Sequence, residues 1–266
     1  MTASYFDRYD NIAFRQEGGV LEMRLHTRGG PACWSTWGGL HRQLGPAFQD
    51  IAQDPDVRTL LLTGTGEAFC DRYDAQGEAM PAMGPATWDV IFGEGRRMLR
   101  NLLSIEVPVI AAVNGPAFIH AELAVLSDIV LASDTAVFAD KAHTIAGVVP
   151  GDGVHSIWPM LLGPNRGRYF LFTGQEIGAE EALRLGIVSE VLPSDALLLR
   201  AWEHARRIAA LPSQAMRYSR IAVTERLRAE IGRDLGYGLM LEGMAILGGR
   251  EARQRGTAGG RPTRLA

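Results

Sequence analysis

The chain has 266 residues, of which 47% are hydrophobic and 21% charged, and its formal net charge is −3. This composition is typical of a soluble globular protein and excludes a disulfide scaffold, a collagen or a largely disordered chain. The slight negative charge, with Lys141 as the only lysine, argues against a protein that binds nucleic acid or a polyanionic surface.

Short strands that alternate with helices are predicted over the first two thirds of the chain. Residues 11–16 and 20–26 flank Glu17-Gly18-Gly19 and are typical of a β-hairpin. Further strands are predicted where short apolar runs end at turn residues, at 58–63, 107–113, 128–132, 136–138 and 187–192. Helices are predicted where apolar residues recur every three or four positions, at 37–52, 88–103, 166–172 and 179–185. The alternation indicates an α/β fold.

The pattern changes near Asp195, from where it is almost entirely helical and is interrupted once, at Pro212. We therefore divide the chain into an α/β core at 1–194, a helical region at 195–249 and a tail at 250–266. The tail is rich in Gly and Arg and is predicted to be disordered. Because the helical region is too short to close a core of its own, we expect it to pack on the α/β core or on another subunit.

The location of the protein is predicted from its cysteines and its apolar runs. Cys33 and Cys70 lack the spacing of a metal site and favour a reducing compartment. The longest apolar run, 107–113, is far shorter than the ~20 residues of a membrane helix. The first ten residues contain no apolar stretch of a secretory signal. We expect a cytoplasmic protein with no membrane partner.

Common catalytic motifs are absent from the sequence. It contains no G-x-S-x-G, no G-x-x-x-x-G-K-[ST], no H-E-x-x-H and no C-x-x-C. This argues against a serine hydrolase elbow, a P-loop and a zinc site. The chemistry is expected to use His, Asp, Glu, Trp and backbone amides, with no metal and no cofactor.

Three stretches resemble the crotonase (enoyl-CoA hydratase/isomerase) superfamily. They are LTGTGEAFCDRYD at 62–74, PVIAAVNGP at 108–116 continuing through SDIVLASDTAVF at 127–138, and LFTGQEIGAEEALRLGIV at 171–188. The likeness covers about residues 10–250. It implies a spiral of β/β/α turns followed by C-terminal helices that build trimers.

The sequence departs from the acyl-CoA enzymes of that superfamily at both of their catalytic glutamates. Leu123 occupies the position of the first glutamate, and Glu122 is one residue out of register, about 100° around a helix. The second glutamate is expected shortly after Phe138, where the sequence has Ala142 and His143.

These departures resemble the β-diketone hydrolase (6-oxocamphor hydrolase) branch, which cleaves a C–C bond in cyclic β-diketones. The residues that carry this likeness are Trp34, His120, His143, Pro150-Gly-Asp152-Gly, Trp158-Pro, Asn165-Arg-Gly-Arg-Tyr-Phe and Glu242. The resemblance implies a hydrolase that converts a small cyclic diketone to a keto acid. It also implies a homotrimer or a dimer of trimers.

Roles follow from this resemblance and from the needs of the reaction, which are a base for water and donors for an enolate oxygen. His143 is the expected base, since the reference pKa of imidazole is about 6.5. Asp152 is expected to fix its tautomer, provided that residues 144–151 fold back. His120 and the indole N–H of Trp34 are expected to donate to the second carbonyl oxygen.

Three further residues complete the predicted site. Glu242 is expected to help hold the water, either in its own subunit or in a neighbouring one. Tyr73 is expected to bind substrate through its backbone N–H at the superfamily's other oxyanion position, and Phe92 as part of the pocket wall. The other histidines are expected to be structural or exposed: His26, His41, His155 and His204.

Two alternatives remain open from the sequence. An acyl-CoA hydratase or isomerase would need a properly placed pair of glutamates and a site for the CoA phosphates. A non-catalytic binding or scaffold protein of the same fold would keep His143 and Asp152 yet turn over neither diketone nor thioester.

Overall fold

A computed structural model describes residues 3–258, with side chains described for residues 3–249. Its strands are β1 (Ile12–Glu17), β2 (Val20–Leu25), β3 (Cys33–Trp34), β4 (Thr59–Thr63), β5 (Arg72–Tyr73), β6 (Val109–Val113), β7 (Ile129–Ser133), β8 (Val137–Phe138), β9 (Ile177–Gly178) and β10 (Glu190–Leu192). Its helices are α1 (Gly39–Gln53), α2 (Pro85–Ser104), α3 (Glu122–Val125), α4 (Val154–Leu162), α5 (Pro164–Thr173), α6 (Ala179–Arg184), α7 (Ser194–Ala209) and α8 (Ser213–Ala258).

Six strands form one sheet in the order β1-β2-β4-β6-β7-β10. Strands β1 and β2 are antiparallel, and every other neighbouring pair is parallel. The antiparallel pair confirms the predicted hairpin, in which Glu17 pairs with Val20. Gly18 and Gly19 connect them with φ of 59° and 81°, and such turns favour glycine because both positions need positive φ.

Both faces of the sheet are buried, which explains why its central strands are apolar throughout. Leu60 and Leu62 of β4 belong to the larger core, which we define as the buried apolar cluster that includes the apolar faces of α1 and α2. Leu61 lies on the opposite face, in a smaller cluster with Trp202 of α7. Parallel sheets covered by helices on both faces have such continuous apolar strands. The predicted α/β class is confirmed.

The C-terminal helical region packs on the α/β core of its own chain. Leu235 and Leu239 of α8 are buried in the larger core. Nearer the start of α8, Arg220 is 2% exposed, and its Nε donates a hydrogen bond of 2.6 Å to Asp128. The burial of apolar side chains and this buried ion pair together place α8 across α2 and α4.

The elements that the sequence predicts agree with the structure except in a few places. The break at Pro212 is confirmed, since α7 ends at Ala209 and α8 begins at Ser213. The sequence pattern does not predict α4, because Pro159 lies inside it and its apolar residues are nearly continuous. Helix α8 continues to Ala258, past the start of the predicted disordered tail, and residues 259–266 lie outside the described part of the chain.

Two further pairs of very short strands lie outside the main sheet, β3 with β5 and β8 with β9. The first pair is parallel and sets Trp34 beside Tyr73. The strand predicted at 136–138 is confirmed as β8, whereas β3, β5 and β9 are not predicted, because strands of two residues carry little periodicity. Within residues 3–258, no helix combines the length and the apolar character that crossing a membrane requires.

Candidate active site

One cavity of about 150 Å³ lies where α2 and α8 approach the loops that follow β6 and β8. Six of the seven residues predicted for the site line this cavity. They are Trp34, Tyr73, His120, His143, Asp152 and Glu242. The fold therefore brings together residues that are up to about two hundred positions apart in the sequence.

The cavity wall differs from the sequence prediction at Phe92. Ile91 of α2 lines the cavity, whereas Phe92 does not. Phe92 is instead partly buried against the larger core, with the Arg96 guanidinium 5.2 Å from its ring centroid. One step along a helix turns the side chain by about 100°, which accounts for the difference. Tyr73 does line the cavity, although half of it is exposed to solvent.

His120 is placed by a backbone conformation that residues other than glycine rarely adopt. Its φ is 54°, in the left-handed region. Its Nδ1 donates to Glu122 and lies 3.3 Å from Oδ2 of Asp152. The Trp34 indole covers one face of the imidazole, with ring centroids 3.7 Å apart and ring planes inclined by 32°. Because Nδ1 and one ring face are occupied, Nε2 is the atom of His120 that remains for a substrate oxygen.

His143 lies between two carboxylates in the loop after β8. Its Nδ1 is 2.7 Å from Oδ1 of Asp140, and its Nε2 is 3.2 Å from Oδ2 of Asp152. The contact with Asp152 is the one that the sequence analysis predicts. The sequence analysis misses Asp140, because a spacing of three residues inside a loop gives no periodic signal. Oδ2 of Asp152 is shared by His143 and His120.

The loop of residues 144–151 folds back and carries Asp152 to the two imidazoles, as expected from its glycines. Gly153 has a φ of 109°, which only glycine adopts readily. A Cβ at Gly151 would lie 2.3 Å from the carbonyl oxygen of Gly238 in α8. A larger residue would therefore push this loop, and Asp152 with it, away from α8.

Opposite charges in this cluster favour the ionised forms of His143, His120 and Asp152. Burial alone would lower the pKa of His143, but Asp152 and Asp140 outweigh it and raise that pKa well above 6.5. Burial would also lower the pKa of His120, which Glu122 and Asp152 raise. Burial would raise the pKa of Asp152, yet His143 and His120 hold it far below its ordinary range. The substrate-free site therefore favours imidazolium ions on both sides of a shared carboxylate.

Glu242 reaches the cavity from α8 of the same chain. Its Oε2 is buried and has no hydrogen-bond partner among the described residues. Burial and the nearby charge of Asp152 raise the pKa of Glu242 to about 8. A carboxyl group that is mostly neutral at pH 7 can both donate and accept a hydrogen bond.

The structure adds His41, for which the sequence analysis expects a structural or exposed position. His41 lies on the buried face of α1 with Leu44 and lines the cavity beside Trp34. Its Nδ1 is 2.9 Å from Oε2 of Glu94, and burial lowers the pKa of the imidazole. The signal in the sequence is its helical spacing, three residues before Leu44 on an otherwise apolar face.

Apart from Thr36, the remainder of the wall is apolar, and none of the described lining residues is a lysine or arginine. Its main apolar members are Met80, Met83, Trp88, Ile91, Met98 and Leu239. A cavity of this volume elsewhere holds a molecule the size of benzene. The site therefore suits a compact, mostly hydrocarbon ligand whose oxygens meet the histidines.

Three ligand atoms in the site could also be bridged by a metal ion. They belong to His120, Glu122 and Asp152 and lie within 4.8 Å of one another. The imidazole nitrogen among them already contacts both carboxylates, and a metal would have to replace its proton. With that proton in place, the imidazole of His120 bonds Glu122 and contacts Asp152 without a metal.

Comparison with known sequences places these residues in a family. The sequence profile of the enoyl-CoA hydratase/isomerase family matches residues 15–244. A carnitinyl-CoA dehydratase of Proteus mirabilis is 34% identical over 234 residues, which is 85% of this chain and 84% of that protein. A carnitinyl-CoA dehydratase of Citrobacter koseri is 33% identical over 201 residues, covering 75% and 74% of the two chains.

Solved structures with similar folds include proteins of two activities. A β-diketone hydrolase from Anabaena sp. PCC 7120, bound to (S)-3-oxocyclohexyl acetic acid, is 45% identical, with a TM-score of 0.89 over 94% of this chain and 99% of that one. An enoyl-CoA hydratase/isomerase from Mycobacterium paratuberculosis is 28% identical, with a TM-score of 0.83 over 91% and 96% of the two chains.

Proposed function

This chain belongs to the enoyl-CoA hydratase/isomerase family, and we propose that it is a cofactor-independent hydrolase that cleaves a C–C bond of a cyclic β-diketone by a retro-Claisen reaction. The observation that carries the proposal is the pair of buried imidazoles, His143 and His120, that share Asp152 in one small cavity. The 45% identity to the Anabaena β-diketone hydrolase supports it.

The two positions of the acyl-CoA glutamates argue against hydration of a thioester. Leu123 is buried in the larger core. Glu122 is 1% exposed and bonds His120, and it does not line the cavity. Ala142 lines the cavity but offers no ionisable group. The carnitinyl-CoA dehydratase relatives make acyl-CoA chemistry the alternative function.

In the first step of the proposed reaction, water adds to one carbonyl carbon. Neutral His143 takes a proton from the water on Nε2, while the water oxygen bonds the carbon and the carbonyl oxygen becomes an alkoxide. A raised pKa makes the neutral imidazole a stronger base, at the expense of a smaller neutral fraction at pH 7. The carboxylates on both of its nitrogens stabilise the imidazolium that forms.

In the second step the alkoxide collapses to a carboxylic acid and the C–C bond breaks. The electron pair of that bond passes to the second carbonyl as an enolate. Nε2–H of His120 and the indole N–H of Trp34 donate to the enolate oxygen. The imidazolium of His143 returns its proton to the enolate carbon, so water is the only co-reactant.

Glu242 has a supporting role in this scheme. Its neutral carboxyl group faces the cavity near Asp152 and can accept a hydrogen bond from the attacking water. Two acceptors, Glu242 and His143, would then orient the oxygen lone pair toward the carbonyl carbon. We do not assign it the base, because a protonated carboxyl group cannot take the proton.

The keto acid bound to the Anabaena hydrolase has the form that such a cleavage would yield, and it suggests the kind of substrate. The bound compound, (S)-3-oxocyclohexyl acetic acid, has two ring carbons next to its ketone. A bond from the carboxyl carbon to the one more remote from the acetic acid substituent, with loss of water, would close a second ring. The result is a bicyclic diketone whose two carbonyls share one bridgehead carbon. We propose that this chain takes a compact diketone of that kind, in keeping with its small apolar cavity.

The test of the proposed function follows atoms from water into the product. The enzyme is incubated with this bicyclic diketone and with monocyclic β-diketones, without added CoA or metal. We expect a keto acid that carries one oxygen from heavy-oxygen water in its carboxyl group. In heavy water it should also carry one deuterium on the carbon released by cleavage.

Crotonyl-CoA and carnitinyl-CoA are tested alongside as the alternative substrates. Turnover of either thioester, with every diketone left intact, would replace the proposal with acyl-CoA chemistry. Inactivity toward both classes would favour the binding or scaffold protein.

A further inference from the structure

The two carboxylates of His143 differ in their position relative to the cavity. Asp140 bonds Nδ1 at 2.7 Å and is not among the described lining residues, whereas Asp152 lies 3.2 Å from Nε2 and does line the cavity. The side chains of His143 and Asp140 are 5% and 4% exposed. Asp140 therefore contacts the nitrogen that is remote from substrate, and Asp152 the nitrogen that is near it.

We propose that Asp140, rather than Asp152, is the positioning residue that fixes the orientation and tautomer of the His143 imidazole. Asp152 then acts on the substrate side, between the imidazoles of His143 and His120. The kinetic consequences of this assignment rest on the proposed hydrolase function, whereas its consequences for the imidazole protons do not.

The assignment follows from the donor and acceptor properties of the two side chains. A neutral imidazole has one N–H, and an ionised carboxylate can only accept a hydrogen bond. With Asp140 on Nδ1, the single proton stays on Nδ1 and leaves Nε2 basic. Asp152 would have the opposite effect if it acted alone, because it would hold the proton on Nε2, the nitrogen that must accept one from water.

The backbone holds Asp140 firmly in place. The residues on either side of it donate backbone hydrogen bonds of 3.2 and 2.9 Å to the carbonyls of residues 117–118, in the segment that leads to His120. Oδ2 of Asp140 is buried and has no partner among the described residues, so this carboxylate directs its one described hydrogen bond to His143. A buried carboxylate without that bond would be costly.

Replacing Asp140 should also change the titration of His143. The ionisable groups that face His143 are Asp140, Asp152, His120, Glu242 and Tyr73. In Asp140→Asn only the first of these charges is removed. We therefore expect the imidazolium of His143 to lose a proton and become neutral at a lower pH than in the wild type.

The kinetic test compares three variants on a diketone. Asp140→Asn removes the charge but keeps the shape, and Asp140→Glu keeps the charge. Glu22→Gln is the matched control, since Glu22 is also a buried carboxylate, 3% exposed, but bonds Trp202 on the far side of the sheet. We expect kcat of Asp140→Asn to fall on the order of 10³- to 10⁴-fold with little change in KM, as when the carboxylate of a Ser-His-Asp triad is replaced by an amide.

The control variant and the conservative variant should both differ from Asp140→Asn. Glu22→Gln should lower the melting temperature but leave kcat and the pH profile unchanged. Asp140→Glu should recover a large part of the activity lost in Asp140→Asn. Its kcat/KM should fall on the acid side of the pH profile at nearly the same pH as that of the wild type. If Asp140→Asn matched Glu22→Gln in kcat and in pH profile, the positioning role would be excluded.

A second experiment measures the protonation of the His143 ring nitrogens in the wild-type protein, without substrate. In protein labelled with ¹⁵N-histidine, His143 is assigned by comparison with His143→Gln, and both ring nitrogens are followed through a pH titration. We expect the neutral wild-type ring to keep its proton on Nδ1. A neutral ring protonated on Nε2 would overturn the proposal. If the proton sits on Nδ1 but no diketone is cleaved, the hydrolase proposal fails while this assignment stands.

Discussion

The central sheet and the loops at its carboxyl ends are stabilised in opposite ways. Strands β4 and β6 consist entirely of buried, mostly apolar residues that pack against helices on both faces. The segments that follow β6 and β8 instead bury three carboxylates and two imidazoles, of which Asp152 and both imidazoles line the cavity. Asp140 and Asp152 each keep one buried oxygen without a described hydrogen-bond partner.

The comparison shows why the two regions respond differently to substitution. Apolar burial is non-directional, so many side chains share the stabilisation of the sheet. The charged cluster is directional, and its groups are desolvated in an arrangement that favours catalysis rather than stability. Variants of the loops should therefore change activity far more than stability, and variants of the sheet should do the reverse.

The largest effect is expected for Asp152→Asn. The amide keeps the shape of the side chain, and the two imidazoles can release protons when the carboxylate is removed, so the chain should still fold. Activity should fall on the order of 10⁴-fold, because the imidazolium of His143 then loses its carboxylate at Nε2 and that of His120 loses one at Nδ1. Diketone cleavage and thermal melting are measured together. Near-normal turnover would remove Asp152 from the mechanism.

His120→Ala should have a smaller effect on the same reaction. Loss of one oxyanion donor typically lowers kcat by about 10²- to 10³-fold. Because the backbone φ of His120 is 54°, His120→Gly should be more stable than His120→Ala, with equally low activity. A melting curve and a kcat measurement on both variants separate the two effects. Unfolding of both would indicate that His120 is structural.

Leu61→Ala should destabilise the fold through the central sheet and leave the site intact. Leu61 is fully buried under α7, and truncation of a buried leucine usually costs about 2–5 kcal/mol of unfolding free energy. Urea titration should show that loss. The kcat of the folded fraction should stay within about twofold of the wild type, since the cavity lies on the other side of the sheet. A drop in kcat like that of the loop variants would contradict the separation of the two regions.

The smallest effect is expected in the pH dependence of stability. The pKa of Glu242 rises from an ordinary 4.5 to about 8 on folding, so between these pH values the folded chain holds a proton that the unfolded chain has lost. The stability contributed by this difference is present below pH 4.5 and is lost as the pH rises to about 8. Melting temperatures of Glu242→Gln should therefore fall less over this range than those of the wild type. Parallel slopes would show that Glu242 ionises at its ordinary pKa.

Much of the site could be predicted because the resemblance placed six residues that the fold brings to one cavity. Phe92 was beyond such reasoning, since only the rotation of α2 about its axis decides that Ile91, and not its neighbour, lines the wall. His41 carried a weak signal in its helical spacing. Asp140 carried none, because its partner is set by the path of a loop rather than by a repeating pattern.

The sequence by itself determined the elements whose stability comes from periodic local contacts: the hairpin at Gly18-Gly19, the apolar strands and the amphipathic helices. Only the tertiary structure decided which carboxylate meets which nitrogen of His143, and that Asp152 lies between two imidazoles. The physical reason is that periodicity reports which face of an element is buried. Hydrogen-bond partners across loops depend instead on distances of a few tenths of an ångström, which packing of the whole chain sets.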